Sequence, residues 1–386
     1  KFDENFQLVN GTLSSVVLNN TEYLFKCNIL ISDIMNCELN KQLLQTILDN
    51  QKRVPLTLSL GDMGITTDIV NQIYEWAKPY AVEGELASYI PELANVDPDK
   101  SAIVIGDLQG NLIAVGSGVD VKVSIQSVVK PFLYIYALQK GLAPSDISYI
   151  EPTAMHFNTD AVLQPESHKS RPGHPLNNAG AISSSGAIDD FADFLAFMRR
   201  LTGNDQLAVL EDVYASEMAT NANNRAIAMR LVATGRFATI EDGMRALDNY
   251  TRACAIGVTP AEITRACVVL ARGGMIEREQ VIDENNIVRA INAMNSYGLY
   301  ERTGEISLLA AGVRALSCKS GVGGLIINID PGRGAFTTYG PRLDAAGNSA
   351  FGKYALIPLN NLLAAPYAMR LSADEIINTI EEFEKE

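Results

Sequence analysis

The sequence predicts an α+β protein, a mixed sheet built from both ends of the region 69–386 with a helical lobe inserted between them. Three observations carry that reading. Strand-like apolar runs occur early, at Ala102 to Ile105 and Leu112 to Val115, on either side of the turn-forming Gly106-Asp107-Leu108-Gln109-Gly110-Asn111. Similar runs return late, at 325–329 and 335–339, around Asp330-Pro331-Gly332-Arg333-Gly334. The stretch from about 142 to 300 reads instead with helical periodicity.

Taken in order, residues 1–68 differ in character from the rest: Asn, Leu and Ile are frequent, Gln42 to Leu48 reads as part of a helix, and no catalytic pattern is visible. They are expected to form a packing or regulatory segment ahead of a catalytic domain spanning 69–386. Asn10-Gly11-Thr12 and Asn19-Asn20-Thr21 fit the glycosylation triplet, which arises readily by chance. A helix is expected from Thr67 to Tyr80, with Ile69, Ile73, Trp76 and Ala77 on one face. After the hairpin, Val128, Val129, Phe132, Leu133 and Tyr136 take helical spacing from Ser127 onward, and Gly141 stands where a C-terminal cap belongs. In the lobe, Ile188, Phe191, Phe194, Leu195, Met198 and Leu201 form an apolar stripe ended by Gly203, a core pattern rather than a cofactor contact. Further helices are expected at 223–233, 260–271 and 285–296, stopped by Gly235, Gly273-Gly274 and Gly298, and a last one near 353–365.

Composition narrows the function. Of 386 residues 47% are apolar and 20% charged, enough for a sizeable core. A formal charge of −14 speaks against nucleic acid as a partner. No apolar run approaches the roughly 20 residues of a membrane helix. The five cysteines (Cys27, Cys37, Cys254, Cys267 and Cys318) are odd in number and lack Cys-x-x-Cys spacing, and the three histidines are scattered. That pattern points to a reducing compartment, gives no zinc pattern and favours metal-free chemistry.

The chemistry-bearing stretch is Ser124-Ile125-Gln126-Ser127-Val128-Val129-Lys130-Pro131. Ser127 and Lys130, three residues apart, share one face of a helical turn. A serine hydroxyl attacks only when something removes its proton, and a lysine amine can do so once its pKa is lowered by burial or nearby positive charge. Alone, Ser-x-x-Lys is a common accident. Far downstream, however, Lys319-Ser320-Gly321-Val322 stands just before the apolar run Leu325-Ile326-Ile327-Asn328-Ile329, so it is placed at the start of that strand. A helix-borne Ser-x-x-Lys followed by a strand-edge Lys-Ser/Thr-Gly is the pattern of penicillin-recognising acyl-serine enzymes.

A longer ordered set makes the pattern specific: Tyr89-Ile90-Pro91-Glu92-Leu93-Ala94, Gln126-Ser127-Val128-Val129-Lys130-Pro131, Asn178-Ala179-Gly180-Ala181-Ile182, Ser216-Glu217, Asn224-Arg225-Ala226-Ile227-Ala228, Tyr297-Gly298-Leu299-Tyr300, Lys319-Ser320-Gly321-Val322-Gly323-Gly324 and Gly347-Asn348-Ser349. Over about residues 70–352 the chain resembles the serine-dependent glutaminases, a family of the serine β-lactamase/DD-peptidase-like fold. The resemblance implies hydrolysis of the L-glutamine side-chain amide to L-glutamate and ammonia, without a cofactor. It implies Ser127 as nucleophile, Lys130 as its base and Tyr300 as a proton shuttle near the leaving ammonia. The backbone N–H groups of Ser127 and Val322 resemble the oxyanion hole, and Tyr89, Gln126, Asn178, Glu217, Asn224 and Tyr250 match substrate-contacting positions. Glu217 is the natural partner for the substrate ammonium.

Outside that set, each residue has an ordinary structural reading: Tyr250 and Tyr300 as core tyrosines, Glu217 as a solvated glutamate near a helix start, Asn178-Ala179-Gly180 as a turn. The chain also departs from the family. It has His174-Pro175 where the family has Asn-Pro, Glu151-Pro152-Thr153-Ala154 in place of a Glu-Pro-Ser-Gly-like segment, and Ala219, Ala222 and Asn223 in place of charged residues. None removes a catalytic group; they bear on the shape of the loop over the pocket. A related amidase, a β-lactam hydrolase and a non-catalytic amino-acid sensor are the competing readings, and the intact Ser127, Lys130 and Tyr300 argue against the last. A homo-oligomer, dimer or tetramer, is expected. The expected compartment is the cytoplasm, or the mitochondrial matrix if a chain starting at Lys1 is a processed eukaryotic form. A glycan on Asn249-Tyr250-Thr251 would block the pocket, which disfavours secretion.

Overall fold

A computed structural model of the protein describes residues 59–149, 171–304, 306 and 316–364. The expected helix at 42–48, the two early glycosylation triplets and the segment 151–154 lie outside the described residues. The chain divides into two units at Pro55 and Leu56, and every described residue belongs to the second.

That unit is organised on a five-stranded sheet: β1 (Ala102–Asp107), β2 (Leu112–Val115), β3 (Cys318–Ser320), β4 (Leu325–Asp330) and β5 (Gly334–Tyr339), in the order β2-β1-β5-β4-β3. Both ends of the unit contribute strands, as expected, and the α+β class holds. The pairing corrects the expectation of a mixed sheet, because every neighbouring pair is antiparallel. The cause is the connections. Short turns at 108–111, 321–324 and 331–333 send the chain straight back along the preceding strand, which only antiparallel neighbours permit. β5 then closes on β1 in register, with Ala335 opposite Gly106 and Thr337 opposite Val104.

Alternating side chains give the sheet two covered faces. Ile103, Ile105, Ile326 and Phe336 pack on one side with Leu60, Ile65 and two helices, α1 (Thr67–Ala77) and α10 (Ala350–Ala364). Ala102, Leu325, Ile327, Ile329 and Ala335 pack on the other with the helical lobe. Burial on both faces explains why β4 reads as an apolar run rather than an alternation. The first hairpin is tied by Asp107, a fully buried carboxylate that accepts the backbone N–H groups of Leu60, Gln109 and Asn111 and the Asn111 side-chain amide.

α1 starts where Thr66 caps Ile69 and stops at Ala77, short of Tyr80, because Pro79 cannot continue an α-helix; a 3₁₀ turn, Lys78–Glu83, follows. The lobe contains α2 (Lys130–Gln139), α3 (Asn178–Ser185), α4 (Phe191–Thr202), α5 (Glu211–Thr220), α6 (Ala222–Ala233), α7 (Ile240–Cys254), α8 (Pro260–Ala271) and α9 (Glu284–Tyr297). α4 ends on Gly203 in the left-handed conformation, and α8, opened by a Thr259/Glu262 capping box, lies directly on β1, β4 and β5. Among the described residues no helix is long and apolar enough to cross a membrane.

Candidate active site

The start of α2, the β3–β4 turn and helices α3, α5, α6 and α7 converge on a cavity of about 860 Å³. Nine of the ten expected site residues line it; the tenth, Lys130, is buried behind Asn178.

Ser127 lies in a 3₁₀ turn, Gln126–Val129, and the α-helix proper begins only at Lys130, with Pro131 in its first turn. The strand end before it is pinned: Ile125 N–H donates to Ile256 O at 2.8 Å, and Val123-Ser124 pairs with Gly257-Val258. Gln126 sits at φ +48°, a left-handed conformation that non-glycine residues adopt only when the surroundings enforce it. Here its side-chain amide is tied down, donating to Ser124 Oγ at 3.2 Å and to Glu217 Oε1 at 3.1 Å.

Lys319-Ser320 does not begin the 325–329 strand, as the sequence led us to expect. It forms a separate edge strand, β3, and the chain reverses through 321–324 before β4. That reversal presses on the nucleophile. A Cβ at Gly321 would lie 3.2 Å from Ser127 N and from Ile125 O, and one at Gly323 would lie 2.5 Å from Ser124 O. Glycine at these two positions lets the backbone around Val322 lie against the backbone around Ser127.

Two lysines are buried here, Lys130 at 1% and Lys319 at 0% exposure. Burial lowers Lys130 to about 8. Lys319 falls well below the lysine range, again through burial, with repulsion from Lys130 adding to it. Burial is the leading cause for both amines, and the repulsion between them opposes charging both at once. Lys130 Nζ donates to Asn178 Oδ1 at 2.6 Å. Lys319 Nζ donates to Ser320 O at 2.5 Å and lies 4.5 Å from the Tyr300 ring centre.

Tyr300 is the second site residue at positive φ, +55°, in a 3₁₀ turn ending at Arg302. Its hydroxyl is hydrogen-bonded to Ser127 and donates to Ser320 O at 3.3 Å; burial raises its pKa, so the proton stays on it. On the opposite wall Tyr89, half-exposed at the rim, donates to Glu217 Oε1 at 2.8 Å. Burial pushes the Glu217 carboxyl up, against the lowering effect of its bonds from Tyr89 and Gln126. Between the walls, Asn178 Nδ2 donates to Asn224 Oδ1 at 3.0 Å, and the Tyr250 hydroxyl donates to Asn178 Oδ1 at 3.3 Å. The cavity therefore offers a serine beside a depressible amine, a protonated phenol, backbone N–H groups, and a carboxylate facing a row of amides.

Sequence reasoning missed some lining groups, chiefly Cys254, Asn221 and Asp344. For Cys254 the signal was present: it stands four residues after Tyr250, on the same face of α7.

A sequence-family model described as glutaminase matches residues 84–365. The glutaminase of Clostridium tetani (strain Massachusetts / E88) is 34% identical over 295 residues, covering 73% of this chain and 93% of that protein. The glutaminase of Clostridioides difficile (strain 630) is 34% identical over 306 residues, 76% of this chain and 96% of its own. Among solved structures, one described as the probable glutaminase ybaS superposes with a TM-score of 0.69 at 30% identity, covering 78% of this chain and 98% of its own.

Proposed function

Because the chain belongs to the glutaminase family and hydrolyses L-glutamine to L-glutamate and ammonia, we propose that Ser127 is its nucleophile and neutral Lys130 the base that takes the hydroxyl proton. The alkoxide adds to the side-chain carbonyl, and the N–H groups of Ser127 and Val322 receive the oxyanion. Collapse breaks the C–N bond, the leaving nitrogen takes a proton delivered through Tyr300, and a γ-glutamyl ester of Ser127 remains. Water, deprotonated by the same amine, hydrolyses that ester and returns the proton to Ser127. Glu217, kept in place by Tyr89 and Gln126, receives the substrate ammonium. Asn224 offers its amide nitrogen to the α-carboxylate, since its oxygen is taken by Asn178, with Asn178 and Tyr250 beside it.

The observation that carries this reading is Lys130, a fully buried amine brought to about 8, one turn from a serine that is itself hydrogen-bonded to Tyr300. At about pH 7 such a group is neutral in roughly a tenth of molecules, against well under a thousandth for an unperturbed lysine. Trapping with hydroxylamine tests it: wild type should divert glutamine into γ-glutamyl hydroxamate, and Ser127→Ala should make neither hydroxamate nor glutamate. Absence of hydroxamate with normal ammonia release would rule out the ester.

We further assign catalysis to residues 69–386 and a packing or regulatory role to 1–68, and place the protein in the cytoplasm as a homo-oligomer. The free, buried Cys254, Cys267 and Cys318 support a reducing compartment, and light scattering of the purified chain tests the oligomer.

A further inference from the structure

Tyr300 can deliver a proton only while its ring stays in the cavity, and that depends on a backbone conformation that tyrosine does not favour. Its φ of +55° is a rotation about the N–Cα bond, so the orientation of the Leu299–Tyr300 peptide decides it. The Leu299 carbonyl oxygen, on that peptide, accepts Asn348 Nδ2 at 3.2 Å. Asn348 is fully buried and lies outside the cavity lining. Asp344 fixes its backbone. Asp344 Oδ1 accepts the N–H groups of Ala346 at 3.0 Å and Asn348 at 2.9 Å, and Asp344 N–H donates to Asn348 O at 2.7 Å. In the same loop Gly347, at φ +92°, faces Tyr300 and Val322: a Cβ there would lie 3.7 Å from each of those side chains. The other end of the Asn348 amide, Oδ1, is buried without a hydrogen-bond partner among the described residues. An unpaired buried acceptor opposes folding, so packing alone would favour an apolar side chain at this position.

We propose that Asn348 is a positioning residue for Tyr300: its side-chain amide, held by the Asp344 loop, locks the Leu299–Tyr300 peptide and so keeps the phenol where the leaving nitrogen needs it. The proposal rests on Tyr300 being the proton carrier. An asparagine amide donates through nitrogen alone and a carbonyl can only accept, so the contact fixes which end of the amide faces Leu299. A flip of the peptide would bring Tyr300 to the ordinary negative φ. It would also turn the Leu299 carbonyl away from Asn348 and break the bond. The preceding peptide is tied as well, since Gly298 O accepts Ser320 N–H at 3.0 Å. Thr303 holds the other groups of the turn, its hydroxyl accepting Leu299 N–H at 3.0 Å and donating to Tyr300 O at 2.7 Å. Thr303 belongs to the turn itself, whereas Asn348 holds it from a separate loop. Without the amide the turn can relax and the phenol leaves its place beside Ser320 O, which it reaches at 3.3 Å. Proton delivery then fails while Ser127 and Lys130 are untouched.

Amide and ester substrates separate this role from a general loss of structure. An amide nitrogen leaves only once protonated, whereas an ester expels its alkoxide far more readily. The kcat/KM for glutamate release from L-glutamine and from L-glutamate γ-methyl ester is measured for wild type, Asn348→Leu, Asn348→Ser, Tyr300→Phe and Tyr300→Phe/Asn348→Leu. Leucine keeps the size of asparagine without the donor. Asn348→Leu should lower kcat/KM on glutamine by about tenfold or more, the scale of a misplaced catalytic group. On the ester the loss should stay below about threefold, because that leaving group asks little of Tyr300. The ratio of the two values does not depend on how much of a sample is folded. Asn348→Ser, too short to reach Leu299, should shift that ratio in the same direction and serves if the leucine variant does not fold. On the Tyr300→Phe background, Asn348→Leu should cost little further, because the group it acts through is already gone. A wild-type amide-to-ester ratio in the Asn348 variants, or losses that multiply in the double variant, would overturn the proposal. A Tyr300→Phe variant with the wild-type rate on glutamine would instead overturn the assignment of Tyr300 on which it stands.

Discussion

The two faces of the sheet are built to different rules. Under α1 and α10, Ile103, Ile105, Ile326 and Phe336 are wholly buried against Val70, Tyr74 and Leu356, and apolar area holds the layer. At the cleft on the lobe side the chain buries two lysines and holds Gln126 and Tyr300 at positive φ. It also raises the Glu217 carboxyl by burial. A non-glycine residue held in the left-handed region costs on the order of 1–3 kcal/mol, and a buried amine gives up hydration. The apolar packing on both faces of the sheet therefore stabilises a cleft whose own residues oppose folding. Residues that look wrong for stability mark the chemistry, and substitutions on the two faces should separate cleanly in what they change.

The largest separation is expected at Ser127. Ser127→Ala should lower kcat by more than about a hundredfold while leaving the thermal midpoint close to wild type, because the hydroxyl acts in the chemistry and not in packing. Lys130→Ala should be comparably slow, and the double variant little slower than either, since the pair works as one unit. Residual activity above about a hundredth in Ser127→Ala would move the nucleophile elsewhere and dissolve the contrast between the faces.

Glu217 comes next. Truncating one partner of a desolvated charge pair typically costs about 2–5 kcal/mol, so Glu217→Gln should lose roughly thirtyfold or more in kcat/KM for glutamine, at about 1.4 kcal/mol per decade. The loss should shrink for the des-amino amide glutaramate, which presents no ammonium. Equal fractional losses on both amides would show that Glu217 reads no charge.

How much of this was legible in the sequence follows the same division. β1 and β4 were readable because burial on both faces leaves largely apolar runs between Gly, Asp and Asn turns, and β2 and β5 because each is a short apolar or β-branched segment set off by such turns. α4 was readable from its stripe and its glycine stop. α3 was not: Asn178-Ala179-Gly180 reads as a turn, and the segment becomes a helix because small residues let it pack closely. A Cβ at Gly180 would lie 2.2 Å from His174 O. α7 was missed although Thr239 caps it through Asp242 N–H, because Gly243 and a strongly charged outer face obscure the buried Ala246, Leu247, Tyr250 and Cys254. The site residues were legible as a motif set, through the family resemblance. What local pattern could not supply was the separate β3 strand, the positive φ of Gln126 and Tyr300, and the depth at which Lys130 is buried; these depend on contacts far apart in the chain.

The pH dependence should follow the front face alone. If chemistry limits turnover, an amine near pKa 8 is neutral in about a tenth of molecules at pH 7 and about nine-tenths at pH 9, so kcat should rise roughly tenfold and then level. A flat single-turnover rate across that interval would remove Lys130 as the titrating base.

The smallest effects are in stability, and there the two faces should differ in kind. Ile326→Val removes one methylene from the fully buried back layer, which typically costs about 0.5–1.5 kcal/mol. The change is independent of pH, because nothing that titrates is touched, and the kinetics of the folded enzyme should stay as they were. Lys130→Met, by contrast, should report on protons. Unfolded, the lysine holds its proton up to about pH 10.4; folded, only up to about pH 8. Between those values the unfolded chain binds more protons, so wild-type stability rises with pH through that window. Below about pH 8 the buried charge costs up to about 3 kcal/mol relative to an unperturbed lysine. Methionine removes that cost, but it also leaves Asn178 Oδ1 without its shortest donor, an offset of about 1–3 kcal/mol. The net sign at pH 7 is a close balance, whereas the pH dependence of the difference is not. Denaturation of both proteins at pH 7 and pH 10 should show Lys130→Met losing ground to wild type by about 2–3 kcal/mol as the pH rises. Parallel stability curves for the two proteins would mean that Lys130 is not held below its ordinary range, and the contrast between stabilising apolar packing and a costly cleft would lose its best-defined term.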